Sequence, residues 1–178
     1  MVDQMINLSP MQYFILKMFE CDNAKPINNK IFIQKIAFLI YINFEKIFTD
    51  LYYIKHRFGP YSGVVDSISK ELKEMNLIYK DAEGYKITSE GLKAINEKER
   101  DIPDTDNFLK EDFSNICKII KEDFTNFDTD EMLAFIYKEF PEFKEQSIKD
   151  EELDYEEIFL KMYESNKLGI SKIAELLG

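Results

Sequence analysis

Histidine, cysteine, glycine and proline are all scarce in this chain of 178 residues, and each scarcity removes a class of function. The one histidine is His56. Neither a histidine metal cage nor a two-histidine acid–base scheme can be assembled within one copy. The two cysteines, Cys21 and Cys117, give no disulfide framework and no paired metal-ligand spacing. Each sits among helix-forming residues and reads as a packing residue, a usage that fits a reducing cytoplasm. Five prolines and six glycines leave little material for a long flexible linker. No apolar run of about eighteen residues occurs, and no basic stretch leads into an apolar one near the start, so a membrane-spanning or secreted chain is not expected. Phosphate-binding glycine loops and Gly-x-Ser-x-Gly elbows are missing too. Carboxylates are abundant, yet no pair is singled out for an apolar cleft. The expectation is a non-enzyme with no catalytic residues, no cofactor and no metal.

What is present is an ordinary globular composition, 45% apolar and 32% charged, with the charge unevenly placed. Residues 1–100 carry 14 Lys/Arg and 13 Asp/Glu, whereas residues 101–178 carry 9 and 21. The second half therefore repels nucleic acid and suits a basic partner surface. Between the halves, Asp101-Ile102-Pro103-Asp104-Thr105-Asp106-Asn107 is polar and non-periodic. This places a linker at 101–107 between a domain over 1–100 and an acidic helical domain over 108–178.

In the first half, Ser9-Pro10 opens a helix with an apolar stripe over Tyr13, Phe14, Ile15, Leu16 and Phe19. Asn28 or Asn29 caps a second helix, running to about Lys46 and apolar nearly all round, as a buried central helix would be. Leu51–Lys55 reads as a short strand, and Gly59-Pro60 forces a turn. Ser62 caps a third helix whose Val65, Ile68, Leu72 and Met75 share one face. Leu77–Lys80 and Tyr85–Thr88 form a hairpin around a turn in which Gly84 takes positive φ. Thr88 or Ser89 then caps a fourth helix over Leu92, Ala94 and Ile95. That order is the order of a winged helix-turn-helix, with the third helix as recognition helix and the hairpin as wing. Its basic groups are Lys55, His56, Arg57, Lys70, Lys73, Lys80 and Lys86, with Asp66, Glu74, Asp81 and Glu83 among them. The candidate binding face is Arg57, Tyr61, Ser62, Ser67, Lys70 and Lys73, and Gly59 and Pro60 are structural.

Ile33-Gln34-Lys35-Ile36-Ala37-Phe38-Leu39 resembles the Leu-Gln-Lys-Leu-Leu-Tyr signature of Panacea-type proteins, which include SocA-like antitoxins and phage-associated proteins, and of the related YwgA-like proteins. Phe58-Gly59-Pro60-Tyr61-Ser62 is similar to their Gly-Pro turn, Leu77-Ile78 to the end of their third helix, and Ile87-Thr88-Ser89-Glu90-Gly91 to their strand-to-helix exit. Together these cover about residues 9–95. Met132 to Tyr137, running on to Phe140-Pro141-Glu142, resembles a tyrosine-rich helix of the YwgA-like proteins, while the histidine-containing tail of a SocA-like antitoxin is missing. The resemblance implies a mainly α protein built on a winged-helix core with an α-helical C-terminal region. It further implies a protein that binds a toxin or other partner, or regulates genes, without catalysis.

In the acidic half, Lys110-Glu111-Asp112-Phe113-Ser114-Asn115 recurs as Lys121-Glu122-Asp123-Phe124-Thr125-Asn126. An eleven-residue shift is three helical turns, so Phe113 and Phe124 return to one face, joined by Leu109, Ile116 and Ile120. A core stripe explains this better than a docking ridge. Asp128 with Glu131 forms a capping box ahead of Met132–Phe140, which Pro141 ends. The acids of Asp150–Glu157 lack the glycine-centred loop of a calcium site and read as a solvated helix start. The last helices, around Ile158-Phe159-Met162 and Ile170-Ile173-Leu176-Leu177, are amphipathic and leave a homodimer open. Three functions are therefore in play. They are a protein-binding regulator of antitoxin type in a toxin–antitoxin or phage-defence setting, a DNA-binding transcriptional regulator using duplex DNA through the first half, and an acidic nucleic-acid mimic that acts as an inhibitor.

Overall fold

The computed structural model describes residues 6–103 and 111–178. Its described part is mainly helical with one small antiparallel hairpin. The helices are α1 Pro10–Glu20, α2 Lys30–Asn43, α3 Gly63–Glu74, α4 Ser89–Arg100, α5 Phe113–Phe124, α6 Thr129–Glu139, α7 Tyr155–Glu164 and α8 Ile170–Leu177. The strands are β1 Ile78–Lys80 and β2 Tyr85–Ile87. The chain divides into two compact units that interleave in sequence. One takes the residues up to Asn29 and Gly63–Thr125; the other takes Lys30–Ser62 and Asn126–Gly178. Each unit thus draws on both sides of the charge boundary at 101–107, of which Asp104–Asn107 lie outside the described residues. The segments grouped by the sequence into a winged helix are shared out as well. α1, α3, the hairpin and α4 belong to the first unit, and α2 belongs to the second.

The first unit is built around α1, which contacts α3, α4, α5 and β2. Ser9 and Gln12 exchange hydrogen bonds as a capping box, with Pro10 at the first helical position. Every residue from Tyr13 to Phe19 is buried. α3 buries Val65, Ile68 and Leu72, but Met75 falls beyond the helix end and is 37% exposed, so the predicted stripe is one residue shorter. In the hairpin Ile78 pairs with Ile87 and Lys80 with Tyr85. Ile27 adds an isolated bridge to Tyr85, with N–H to O distances of 2.9 and 2.8 Å. Gly84, at φ +133°, makes this possible, because a Cβ there would stand 2.5 Å from the Ile27 carbonyl oxygen. Thr88 caps α4 by accepting from the Gly91 amide at 2.9 Å. Gly91, Ala94 and Ile95 form the inner face of α4, and Leu92, expected inside, is 39% exposed. α5 turns Phe113, Cys117, Lys121 and Phe124 inward. Ile116 and Ile120 are only half-buried, and Leu109 and Lys110 lie outside the described residues.

In the second unit α2 is buried continuously from Phe32 to Ile40 and contacts α6. It stops three residues short of Lys46, because the Asn43 amide donates back to the Leu39 carbonyl at 2.8 Å and the chain from Phe44 folds into turns. Leu51–Lys55 is not a strand. It forms one antiparallel bridge, Ile54 to Tyr61, since no second extended segment lies alongside it to lengthen the ladder. The capping box of Asp128 and Glu131 opens α6, and Pro141 begins a short 3₁₀ turn after it. Phe38 is ringed edge-on by Tyr53, Phe140 and Phe143 at centroid distances of 5.0, 5.0 and 5.1 Å. The acidic run divides into a 3₁₀ turn over Asp150–Glu152 and the start of α7, where Asp154 accepts from the Glu157 amide at 3.0 Å. Helices α7 and α8 pack on α6 and on each other.

Candidate binding surface

Three of the six candidate binding residues belong to the second unit and three to the first. In the second unit, Arg57, Tyr61 and Ser62 flank the Gly59-Pro60 turn. Gly59 has φ +79°, and a Cβ there would come within 2.9 Å of the Tyr137 ring and 3.5 Å of the Lys35 side chain. Glycine is thus required both by the backbone angle and by the packing. The turn is clasped from α2. The Lys35 ammonium donates to the Pro60 carbonyl at 2.8 Å, while the Gln34 amide donates to the Ser62 carbonyl at 3.1 Å and accepts from the Ser62 amide at 2.9 Å. Gln34 and Lys35 are thus the second and third residues of the Ile33–Leu39 segment, and their partner is the turn two dozen residues away. Burial pulls the Lys35 ammonium down to about 7. Neutral or charged, it keeps a proton to donate to Pro60.

Ser62 is wholly buried, so its place is to hold the turn. Tyr61 is half-buried and stacks on His56 at 4.7 Å. Arg57 is exposed, with its carbonyl accepting from the Ile148 amide at 3.1 Å and the Ser147 hydroxyl at 3.4 Å. Ser147 in turn meets the Tyr137 hydroxyl at 2.6 Å. Lys55 is paired with Glu145.

In the first unit, the exposed side of α3 carries Ser67, Lys70 and Lys73. The Ser67 hydroxyl donates to Glu71 at 3.2 Å, and Lys70 pairs with Asp66 one turn earlier at 2.7 Å. Lys73 meets no acid among the described residues. On the hairpin, Lys86 is claimed by both Asp81, at 3.0 Å, and Glu83, which hold its ammonium well above the usual lysine range. Lys80 lies over the Tyr85 ring, 5.4 Å from its centroid. α3 carries three acids, Asp66, Glu71 and Glu74, against two lysines, and the hairpin two against two. Helix α3 and the hairpin, whose lysines the sequence already placed among acids, are electrically balanced or slightly acidic.

Sequence reasoning assigned no role to Gln34, Lys35, Tyr137, Ser147 or Lys121, all of which organise the interior. A glutamine and a lysine side by side in the middle of a helix apolar on either side of them were the available signal for Gln34 and Lys35. No group of three or more His, Cys, Asp or Glu side chains among the described residues is placed to hold a metal ion. No helix among them is long and apolar enough to cross a membrane. No protein-family model, curated protein or solved structure matches the chain.

Proposed function

We propose that this protein is a non-enzymatic binding protein of winged-helix type, whose business is to hold a protein partner in the manner of a Panacea-like antitoxin. The observation that carries the choice of partner is the neutralisation of the candidate DNA-facing lysines by acids of the same elements, Lys70 by Asp66 and Lys86 by Asp81 and Glu83. Non-specific DNA affinity comes mainly from uncompensated Lys and Arg contacts to phosphate. A face on which Lys70 and Lys86 are already matched offers fewer of them, whereas a protein partner reads interleaved charges of both signs. Support for the antitoxin type comes from the ordered motifs, among them the Gln34-Lys35 pair and the Gly59-Pro60 turn that it clasps. The contact residues are Arg57 and Tyr61 on the second unit, positioned by Gly59, Pro60 and Ser62, and Ser67, Lys70 and Lys73 on the first.

Affinity capture of the tagged protein from its host, with and without nuclease, is the test. A stoichiometric partner that survives nuclease and is lost on Arg57→Glu with Lys73→Glu is the expected result. Tight, salt-sensitive binding to duplex DNA without any protein partner would overturn the proposal in favour of a DNA-binding regulator.

A further inference from the structure

Cys21 and Cys117 read in sequence as unrelated packing residues, ninety-six positions apart. In the first unit they are neighbours. Cys21 ends α1, where its amide donates to the Lys17 carbonyl and its backbone then leaves the helix at φ −55°, ψ 158°. Its sulfur reaches the Ser114 carbonyl at 3.8 Å, and its own carbonyl accepts from Lys121 Nζ at 2.8 Å. Ser114 lies three residues before Cys117 on α5 and Lys121 four residues after it, so both belong to the helical face that carries Cys117. Cys21 is therefore bracketed by the turns on either side of Cys117. The nearby Cys117 thiol first, and then the ammonium groups of Lys17 and Lys121, favour the thiolate at Cys21. These effects outweigh burial and the Glu20 carboxylate, and hold the Cys21 thiol below its ordinary range. Burial holds Cys117 well above its own. The two also differ in access, Cys21 being 6% exposed and Cys117 fully enclosed.

We infer that Cys21 and Cys117 are a peroxide-responsive thiol pair, with Cys21 the reacting thiol and Cys117 the resolving one. The Cys21 thiolate attacks a hydroperoxide. An S–O bond forms as the O–O bond breaks, and the displaced hydroxide (or alkoxide) takes up a proton, leaving Cys21 as the sulfenic acid. Cys117, on giving up its proton, attacks the Cys21 sulfur. The S–S bond forms as the S–O bond breaks, and the hydroxide leaves as water with that proton. Two thiols are oxidised by two electrons and the peroxide is reduced by the same two. The product is a staple between the end of α1 and the middle of α5, which a dithiol reverses.

The purified full chain, treated with a small excess of hydrogen peroxide and followed by intact mass, tests this. The expected result is loss of two hydrogens, disappearance of both alkylatable thiols, a Cys21–Cys117 linked peptide, and full recovery with dithiothreitol. Cys117→Ala should stop at one added oxygen on Cys21, trapped by dimedone, while Cys21→Ala should slow oxidation of Cys117 by about tenfold or more. Alanine fits each buried site without adding a polar group, and circular dichroism of the reduced variants confirms that they fold. Thiols that stay reduced in the wild type, oxidation of Cys117 that persists unchanged in Cys21→Ala, or disulfides only between separate chains would each overturn the inference.

Discussion

Each unit hides a lysine among apolar residues and uses it to pin a backbone corner, yet the two are supported differently. Lys121 of the first unit donates to two carbonyls, Phe19 at 3.1 Å and Cys21 at 2.8 Å, which are among the acceptors left over at the end of α1. Lys35 of the second donates to one, Pro60. Burial lowers both. Around Lys121 the Cys117 and Cys21 thiols and the Asp22 and Glu20 carboxylates resist that fall, leaving it at about 8, whereas around Lys35 burial acts alone and brings it to about 7. A buried cation is retained where it satisfies backbone acceptors that nothing else reaches, and its charge is a cost that neighbours reduce to different degrees.

The strongest way to separate the units is to break one turn in each. Gly84→Ala places a Cβ 2.5 Å from a backbone oxygen that cannot yield, at φ +133°, and should cost about 3 kcal/mol or more. Gly59→Ala meets the Tyr137 ring, which can shift, and should cost about 2 kcal/mol. Hydrogen exchange should show faster opening in the Ile27, β1 and β2 amides for the first variant and in α2 and α6 for the second.

The lysines come next. Lys121→Met leaves two buried carbonyls unpaired and should lose about 2–4 kcal/mol in denaturant titration at neutral pH. Lys35→Met leaves one and also removes a poorly compensated charge, so its loss should be about 1 kcal/mol or less. Equal losses would abolish the distinction drawn between them.

A pH series sharpens it further. A lysine with a folded pKa near 7 and an unfolded one near 10.4 binds fewer protons folded than unfolded across that interval. Stability therefore rises as pH goes up from about 7, by at most about 1.4 kcal/mol per pH unit for each such group. Between pH 7 and 9 the wild type should gain stability, and Lys35→Met should lose its share of that gain. A curve of unchanged slope in the variant would place the ordinary, solvated lysine value on Lys35.

The smallest effects lie on the exposed faces. Asp66→Asn removes one ion pair from Lys70 and should cost about 0.5 kcal/mol or less, because an exposed i,i+4 pair contributes no more than that. Combined with Asp81→Asn and Glu83→Gln, it should weaken protein capture while producing weak, salt-sensitive duplex binding, read against the wild type in the same assay.

Local chemistry explains which features were legible beforehand. The caps at Ser9 and Asp128, the stop at Pro141 and the hairpin at Gly84 each depend on residues within a few positions and stand where the sequence placed them, and of the two caps it offered for α4, Thr88 and Ser89, Thr88 is the one used. Leu51–Lys55 has strand-forming residues but only Tyr61 as a partner, and partnership is a long-range property. Lys121 is charged, lies in a segment repeated from Lys110, and gives no hint of burial; only the carbonyls of a helix one hundred residues away make it an interior residue. The lysines Lys70, Lys73 and Lys86 were visible as a list of residues, while the pairing of Lys70 with Asp66 and of Lys86 with Asp81 and Glu83 depends on which acid each of those two reaches.

The interleaving of the two units also sets a timetable for synthesis. Once Thr125 has emerged, every segment of the first unit is present, whereas the second still lacks everything from Asn126 onward. During that interval α2, apolar from Phe32 to Ile40 save for Gln34 and Lys35, waits without the α6 that will cover it. A nascent chain paused there displays an oily helix between two stretches already committed elsewhere, the kind of surface that chaperones hold. Cutting the gene at the charge boundary would deliver two fragments, neither of which contains a whole unit.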